Sequence, residues 1–245
     1  PHGTFDIPDT DAAWARYKDK PWPAEARRYA AMVTMLDRQV GEVVALLKEL
    51  KVEHNTLVCF SGDNGANDYF SSAEHPRGVH SGNKHPGSGL EYRGKKGMLY
   101  EGGLRVPFFA RWPDRIRAGT TSDHLAYFPD LLPTLAELAG ATVPAGVDGL
   151  SLLPTLFGRG PAVQKRHDYL YWEFQGATAI RQGTWRAVKP PRATAWELYD
   201  LSRDPGESKD VAAANPAMVA KLSGLAAQAH EPAREGTFTS TARPE

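Results

Sequence analysis

Three features of the sequence join residue types that could bind or move charge. The first is Asp63-Asn64, set between Gly62 and Gly65 directly after the apolar run Thr56-Leu57-Val58-Cys59-Phe60-Ser61. A carboxylate beside a carboxamide offers oxygen from both and charge from one, which suits a hard cation such as calcium or magnesium. Taken alone, Asp-Asn-Gly is turn chemistry before it is a metal site, because these residues are common in turns. The second feature is Arg93-Gly94-Lys95-Lys96-Gly97, continuing through Met98-Leu99-Tyr100 into Glu101-Gly102-Gly103-Leu104-Arg105-Val106-Pro107. Glycines on both sides of the lysines let the backbone fold closely around a small ligand, and an ammonium is a compact point charge for an anionic oxygen. By itself Gly-Lys-Lys-Gly reads as a solvated basic loop. The third is a set of histidines, His75, His80 and His85 within one long loop and His124 beyond it. Their spacing fits no helical zinc motif, so a solvated, substrate-facing loop is the expectation, and pocket lining by His80 or His85 is the lesser alternative.

The elements that must position these residues follow from hydrophobic periodicity. From Ala24 to Leu50 the apolar residues Met32, Val33, Leu36, Val40, Val43, Val44, Leu47 and Leu50 recur three or four apart, the pattern of an amphipathic helix. Thr56–Ser61 fits a strand buried on both faces, with Cys59 an inert core thiol. Asp63 and Asn64 then sit at the carboxyl edge of a sheet, where open α/β sheets bind ligands. Residues 66–97 have neither periodicity and form a long loop, a length that usually carries function. Arg105–Trp112 reads as a strand with Pro107 at its start or edge, and Phe128–Ala139 as a helix stopped by Gly140. Around 150–164 the chain turns Pro- and Gly-rich, which divides it into units 1–160 and 161–245. In the second unit, Tyr169–Phe174, Thr178–Arg181, Thr184–Lys189 and Glu197–Leu201 suggest a small antiparallel sheet. A helix, Pro216–Ala227, follows with Asn215 as its cap, and the chain frays from about Pro232.

Composition removes several classes of function. Lys plus Arg and Asp plus Glu number 29 each, so the basic footprint of a nucleic-acid binder is missing. With 41% hydrophobic and 24% charged residues over 245 positions, the chain can bury a sizeable core. No apolar run approaches the roughly 18 residues of a membrane-spanning helix. Cys59 is the single cysteine, which excludes an internal disulfide and any Cys-x-x-Cys zinc site. The chain starts at Pro1, which reads as a cut, so that a targeting segment would lie outside these residues.

Taken together and in order, the first two features carry a family resemblance. A strand ending in Ser-Gly-Asp-Asn-Gly, followed by Arg-Gly-x-Lys-Gly-x-x-Tyr-Glu-Gly-Gly-x-Arg-Val-Pro, resembles the type I, formylglycine-dependent sulfatases of the alkaline phosphatase superfamily, arylsulfatase-like members in particular. Pro1-His2-Gly3 is similar to the family's Pro-His segment. Leu198-Tyr199-Asp200-Leu201 through Asp204-Pro205-Gly206-Glu207 is similar to its C-terminal signature, so the resemblance spans nearly the whole chain and places it in the C-terminal half of the family. Tyr171-Trp172-Glu173-Phe174 and Arg181-Gln182-Gly183 through Trp185-Arg186 agree with it.

The resemblance implies an α/β fold: an alkaline-phosphatase-like sandwich with a central sheet flanked by helices, incomplete in this chain, plus a small C-terminal antiparallel sheet with a helix. It implies that Asp63 and Asn64 ligate calcium or another divalent cation. Lys96, five residues before Glu101, is the counterpart of the lysine that binds the sulfate group and steadies the departing charge, and His2 is a second contact to the ester oxygen. Lys95 is then solvated or structural, and Glu101, Gly102, Gly103 and Arg105 hold the loop against the sheet. The implied activity is hydrolysis of a sulfate monoester on a sulfated small molecule or glycan, through attack on sulfur by a formylglycine gem-diol. An exported or periplasmic setting goes with it; oligomeric state is not implied.

The formylglycine precursor, a Cys or Ser in Cys/Ser-x-Pro-x-Arg, occurs nowhere in these 245 residues, so the nucleophile is expected upstream and the chain alone should not turn over. A phosphoester or phosphonate hydrolase of the same superfamily and a non-catalytic binder of sulfated glycans are the alternatives that the missing nucleophile leaves open.

Overall fold

The structure, a computed structural model, describes residues 5–67, 84, 87–158 and 163–232. A one-turn helix, α1 (Ala12–Ala15), is capped by Asp11, whose side chain accepts the Ala13 N–H at 2.8 Å. The long helix α2 (Ala24–Glu49) packs against it, and Arg38 grips the same Asp11 carboxylate with both terminal nitrogens, at 3.0 and 2.8 Å. Ile7, Ala13 and Ala31 are buried at that junction. The end of α2 is a Schellman turn. Lys51 adopts the left-handed conformation (φ 59°), its N–H reaches Lys48 O, and the Val52 N–H reaches Leu47 O, both at 3.0 Å. The chain is thereby turned, through the 3-10 turn Glu53–Asn55, into strand β1 (Val58–Ser61).

After β1 comes the segment leading to a short helix, α3 (Glu101–Leu104), and then strand β2 (Phe108–Arg111), which pairs antiparallel with β1. Val58 lies opposite Arg111 and Ser61 opposite Phe108. Pro107 stands just before β2, where its missing N–H costs no ladder bond. Its carbonyl accepts from Ser61 Oγ at 3.0 Å and from the Gly62 N–H at 3.4 Å. The expectation that the first strand is buried on both faces is corrected here: Cys59 is exposed and is no core thiol, and Phe109 retains 65% of its surface. The reason is cover. Among the described residues this sheet has two strands, and its faces are shielded only in part. One side of α2, with Val33, Leu36, Val43 and Leu46, and Leu50 at its C-terminal cap, are left exposed in the same way.

Helix α4 (Leu131–Ala139) grows from the 3-10 turn Phe128–Asp130 and stops at Gly140, whose φ of 67° fits the left-handed stop that glycine accepts without strain. A further short helix, α5 (Leu153–Phe157), occupies part of the Pro- and Gly-rich stretch expected to mark the boundary between the two units. Strands β3 (Leu170–Phe174), β4 (Ala177–Gln182), β5 (Trp185–Lys189) and β6 (Glu197–Asp200) then form an antiparallel meander in sequential order, as their patterning leads one to expect. The first hairpin turns on Gln175-Gly176, both at positive φ, which matches the twist of the flanking strands.

Alternation of side chains gives this sheet two different faces. Ile180, Ala187 and Leu198 bury against Leu222 and Ala226 of helix α6 (Pro216–Ala229). Ala177, Ala179, Val188 and Tyr199 instead cluster with Leu99, and Tyr100 and Leu104 pack onto them. The C-terminal sheet is therefore a platform with α6 beneath it and the lysine-bearing segment above. Asn215 holds the cap position of α6 but makes no side-chain cap bond; its Nδ2 donates to Val211 O at 2.8 Å, across the 3-10 turn Ala212–Ala214. Among the described residues no helix is long and apolar enough to cross a membrane.

Candidate functional site

β1 delivers Asp63 and Asn64 at its carboxyl end, followed by two backbone bonds that tie them to the second motif. The Gly65 N–H donates to Gly103 O and the Lys96 N–H to Ala66 O, both at 2.8 Å. Glycine is required at this crossing. A Cβ on Gly65 would lie 2.1 Å from Gly102 O, and one on Gly103 would lie 2.0 Å from Met98 O. The two motifs, about thirty residues apart in sequence, thus touch backbone to backbone, and Lys96 is held next to the Asp63-Asn64 segment.

Asp63 is exposed, and its Oδ1 accepts the Asn64 N–H at 3.0 Å. Asn64 Nδ2 donates to Gly65 O at 3.0 Å, which orients the carboxamide and leaves its oxygen as the free acceptor type. A carboxylate and an oriented amide oxygen fit a hard divalent cation, but calcium takes 6–8 oxygens, so these two residues make part of a coordination shell. Among the described residues no group of three or more His, Cys, Asp or Glu side chains is placed to hold a metal. Lys95 and Lys96 are both half-buried. His2, His75, His80 and His85 lie outside the described residues. His124 is half-buried, its Nε2 lacks a hydrogen-bond partner, and burial pushes its pKa down against the opposing pull of Asp130.

Beneath the lysine segment lies a buried charge cluster. Arg186 on β5, Glu101 on α3 and Glu207 beyond β6 keep 1%, 2% and 0% of their surface. Arg186 Nη1 donates to Glu101 Oε1 at 2.7 Å, and its Nη2 donates to Leu99 O. Arg186 Nε lies 3.1 Å from Glu207 Oε1, outside hydrogen-bond alignment, so this contact is an ion pair. Glu207 Oε2 accepts the Glu101 N–H at 2.7 Å. Arg105 Nε donates to Glu101 Oε2 at 2.6 Å, and Arg181 Nη1 stands 3.5 Å from Oε1. Burial alone would raise the Glu101 pKa, but Arg186, Arg105 and Arg181 outweigh it and hold the carboxyl below its ordinary value. Glu207 differs: burial dominates, the Glu101 charge adds to it, and its pKa is pushed up to about 7 despite Arg186, the Glu101 N–H and Arg93.

A second set of contacts secures the start of the segment. Glu197 Oε2 accepts from Tyr100 OH at 2.8 Å and Tyr199 OH at 2.6 Å, and Arg93 pairs with it at 3.2 Å. Arg93 Nη1 also donates to Tyr199 OH and its guanidinium sits 4.2 Å from the Tyr100 ring centroid. Burial, then the Glu197 carboxylate, pushes both phenols up. Of the residues expected to hold the loop against the sheet, Gly103 O bonds the Gly65 N–H beyond β1, Glu101 reaches Arg186 on the C-terminal sheet instead, and Gly102 and Arg105 bond within the lysine segment. Arg186 and Glu207 as partners of Glu101, and Tyr199 as partner of Arg93 and Tyr100, were not anticipated, although each stands inside a quoted signature. The buried pair His167 Nε2···Asp130 Oδ1, at 2.8 Å, has no local signal at all, its members being 37 positions apart.

An α/β body with an acidic turn and a lysine loop at the end of one strand, resting on an antiparallel meander, is part of an alkaline-phosphatase-like α/β fold. Comparison with known proteins agrees. The sequence model of the family described as Sulfatase matches residues 2–141, and that described as N-sulphoglucosamine sulphohydrolase, C-terminal, matches residues 92–230, each more than half of the chain. The chain belongs to the sulfatase family. It is 36% identical to human arylsulfatase A over 221 residues, which is 78% of this chain and 41% of that protein. An uncharacterised sulfatase of Schizosaccharomyces pombe is 32% identical over 231 residues, covering 79% of this chain and 41% of that one. Among solved structures, that of Ps i-CgsB in complex with k-i-k-neocarrahexaose superposes with a TM-score of 0.72 at 28% identity, covering 93% of this chain and 47% of the other. The chain spans less than half the length of these relatives.

Proposed function

We propose that this chain is the C-terminal half of a sulfate-monoester hydrolase and supplies part of one active site, with residues 1–160 completing a catalytic domain and residues 161–245 forming the subdomain that supports it. The observation that carries this is the pair of backbone bonds, Gly65 to Gly103 and Lys96 to Ala66, that bring the cation-binding turn and the anion-binding lysine together at the end of β1. In this reading Asp63 and Asn64 hold calcium, which neutralises charge on the sulfate oxygens when bound. Lys96 contacts the sulfate group and offsets the charge that develops on departure, an electrostatic role of the kind that dominates many active sites. His2 contacts the ester oxygen. The nucleophile, a formylglycine, belongs to residues outside this chain.

The substrate class we favour is a sulfated glycan or an aryl sulfate, since the relatives include arylsulfatase A and a structure holding a neocarrahexaose. The test is a paired assay of the protein carrying the complete sulfatase unit on an aryl sulfate and the matching aryl phosphate. Sulfate should be turned over faster, and Lys96→Ala should lower kcat for it by about a hundred- to a thousandfold, the usual cost of removing one transition-state charge partner. Faster phosphate turnover would overturn the assignment in favour of a phosphoester hydrolase.

A further inference from the structure

The C-terminal signature, Leu198–Leu201 with Asp204–Glu207, has no assigned task in the chemistry above. In the fold it lies directly against the segment that bears Lys96. We infer that Glu207 and Arg186 are positioning residues for Lys96: the C-terminal sheet acts as a clamp that fixes the backbone of residues 99–101 and, through it, the place of the lysine beside Asp63 and Asn64.

The clamp uses directed bonds to the backbone. Arg186 Nη2 donates to Leu99 O, and Glu207 Oε2 accepts from the Glu101 N–H at 2.7 Å, so a strand residue and a post-strand residue seize consecutive peptide groups of the lysine segment. The Glu101 side chain is locked by Arg186, Arg105 and Arg181 at 2.7, 2.6 and 3.5 Å. From there the constraint passes to the lysine. The Met98 N–H donates to Lys95 O at 2.9 Å, the Gly102 N–H to Arg93 O at 2.7 Å, and the Lys96 N–H to Ala66 O at 2.8 Å. These bonds close a ring of contacts from β5 through the lysine loop to the end of β1. Gly206 is part of the same fit, since a Cβ there would lie 2.8 Å from Glu91 O. A displacement of about 1 Å in a catalytic group can cost on the order of a hundredfold in rate, so a clamp at this distance from the chemistry has a kinetic consequence.

This inference rests on the assignment of Lys96 to the sulfate group, and the experiment separates the two. In the protein carrying the complete sulfatase unit, Glu207→Ala, Glu207→Gln, Lys96→Ala and the Glu207→Ala/Lys96→Ala pair are compared by steady-state kinetics on an aryl sulfate and by hydrogen exchange. Glu207→Ala should lower kcat roughly ten- to a hundredfold with KM changed little, because a positioning defect is felt in the transition state. Glu207→Gln keeps an acceptor for the Glu101 N–H and should recover most of that loss. In the Lys96→Ala background, Glu207→Ala should cost less than threefold, since residues acting through one another are not additive. Exchange should speed up in residues 93–105 while β3–β6 keep their protection. Additive losses, or exchange that rises across the whole C-terminal sheet, overturn the clamp and leave Glu207 a stability residue. Undiminished turnover in Lys96→Ala overturns instead the assignment of Lys96, and the exchange pattern then still decides whether the clamp exists.

Discussion

Glu207→Gln tests the physics of the buried cluster directly. The carboxyl has no exposed surface and faces Arg186 from β5, the Glu101 carboxylate and N–H from α3, and the field of Arg93 from the preceding loop. Its pKa rises from an ordinary 4.5 to about 7 in the folded protein, so between those values the folded state holds a proton that the unfolded state has released. Stability from this group is therefore fully present below pH 4.5 and is lost as pH climbs through about 7. At about 1.4 kcal/mol for each tenfold in proton affinity, the loss amounts to roughly 3 kcal/mol between mildly acid and mildly alkaline solution. Glutamine keeps the shape and the acceptor but cannot ionise, so the variant should lack this part of the pH slope and should match or exceed the parent above pH 7. Urea unfolding of both proteins at half-unit steps from pH 5 to 8, followed by tryptophan fluorescence, measures it; Trp172 reports locally, its ring centroid being 5.2 Å from the Arg186 guanidinium. Parallel slopes for parent and variant over that range would refute the reasoning.

Two further outcomes follow from the site. Gly103→Ala puts a methyl 2.0 Å from Met98 O, backbone that cannot rotate away, so the lysine loop must shift; a loss of about 1–3 kcal/mol in chemical unfolding is expected, and an unchanged midpoint would show that the crossing relaxes freely. Asp63→Ala removes the only charge of the proposed calcium pair, and in the complete enzyme it should raise the calcium concentration needed to restore activity after chelation by at least tenfold. An unaltered calcium requirement would remove Asp63 from the metal shell.

How much of this is legible in sequence depends on the range of the interaction. Period alone places α2, the C-terminal meander and α6 within a few residues, because each element's pattern is set by its own apolar positions. The Asp63-Asn64 and Lys96 motifs are legible as an ordered pair, and the structure brings them together. The clamp is illegible for a physical reason: Glu101 and Arg186 are 85 positions apart, and a charged residue bound for the interior has the same letter as one bound for solvent. Burial of Thr56–Ser61 is misjudged from the opposite side, since an apolar run states what a strand needs and not whether anything covers it. Cys59 and Phe109 have that need unmet among the described residues.

The use of charges where apolar packing was available leads to a last prediction. The sheet already offers Ala177, Ala179, Val188 and Tyr199 to Leu99, so burial alone could attach the lysine segment. Apolar contacts are non-directional, however, and would tolerate sliding of one layer on the other. Bonds to Leu99 O and the Glu101 N–H do not. Arg186→Met alone leaves Glu101 and Glu207 buried without the cation between them and should cost about 3–5 kcal/mol, the usual result of breaking a buried pair from one side. Adding Glu207→Leu removes the stranded polar carboxyl, so Arg186→Met/Glu207→Leu should be more stable than Arg186→Met despite carrying one more change. The same double variant should still lose exchange protection over residues 93–105, because both backbone partners are gone. If it proves less stable than the single variant, the two residues contribute independently; if it regains protection in the lysine segment, apolar packing sets the register and the directed bonds are incidental.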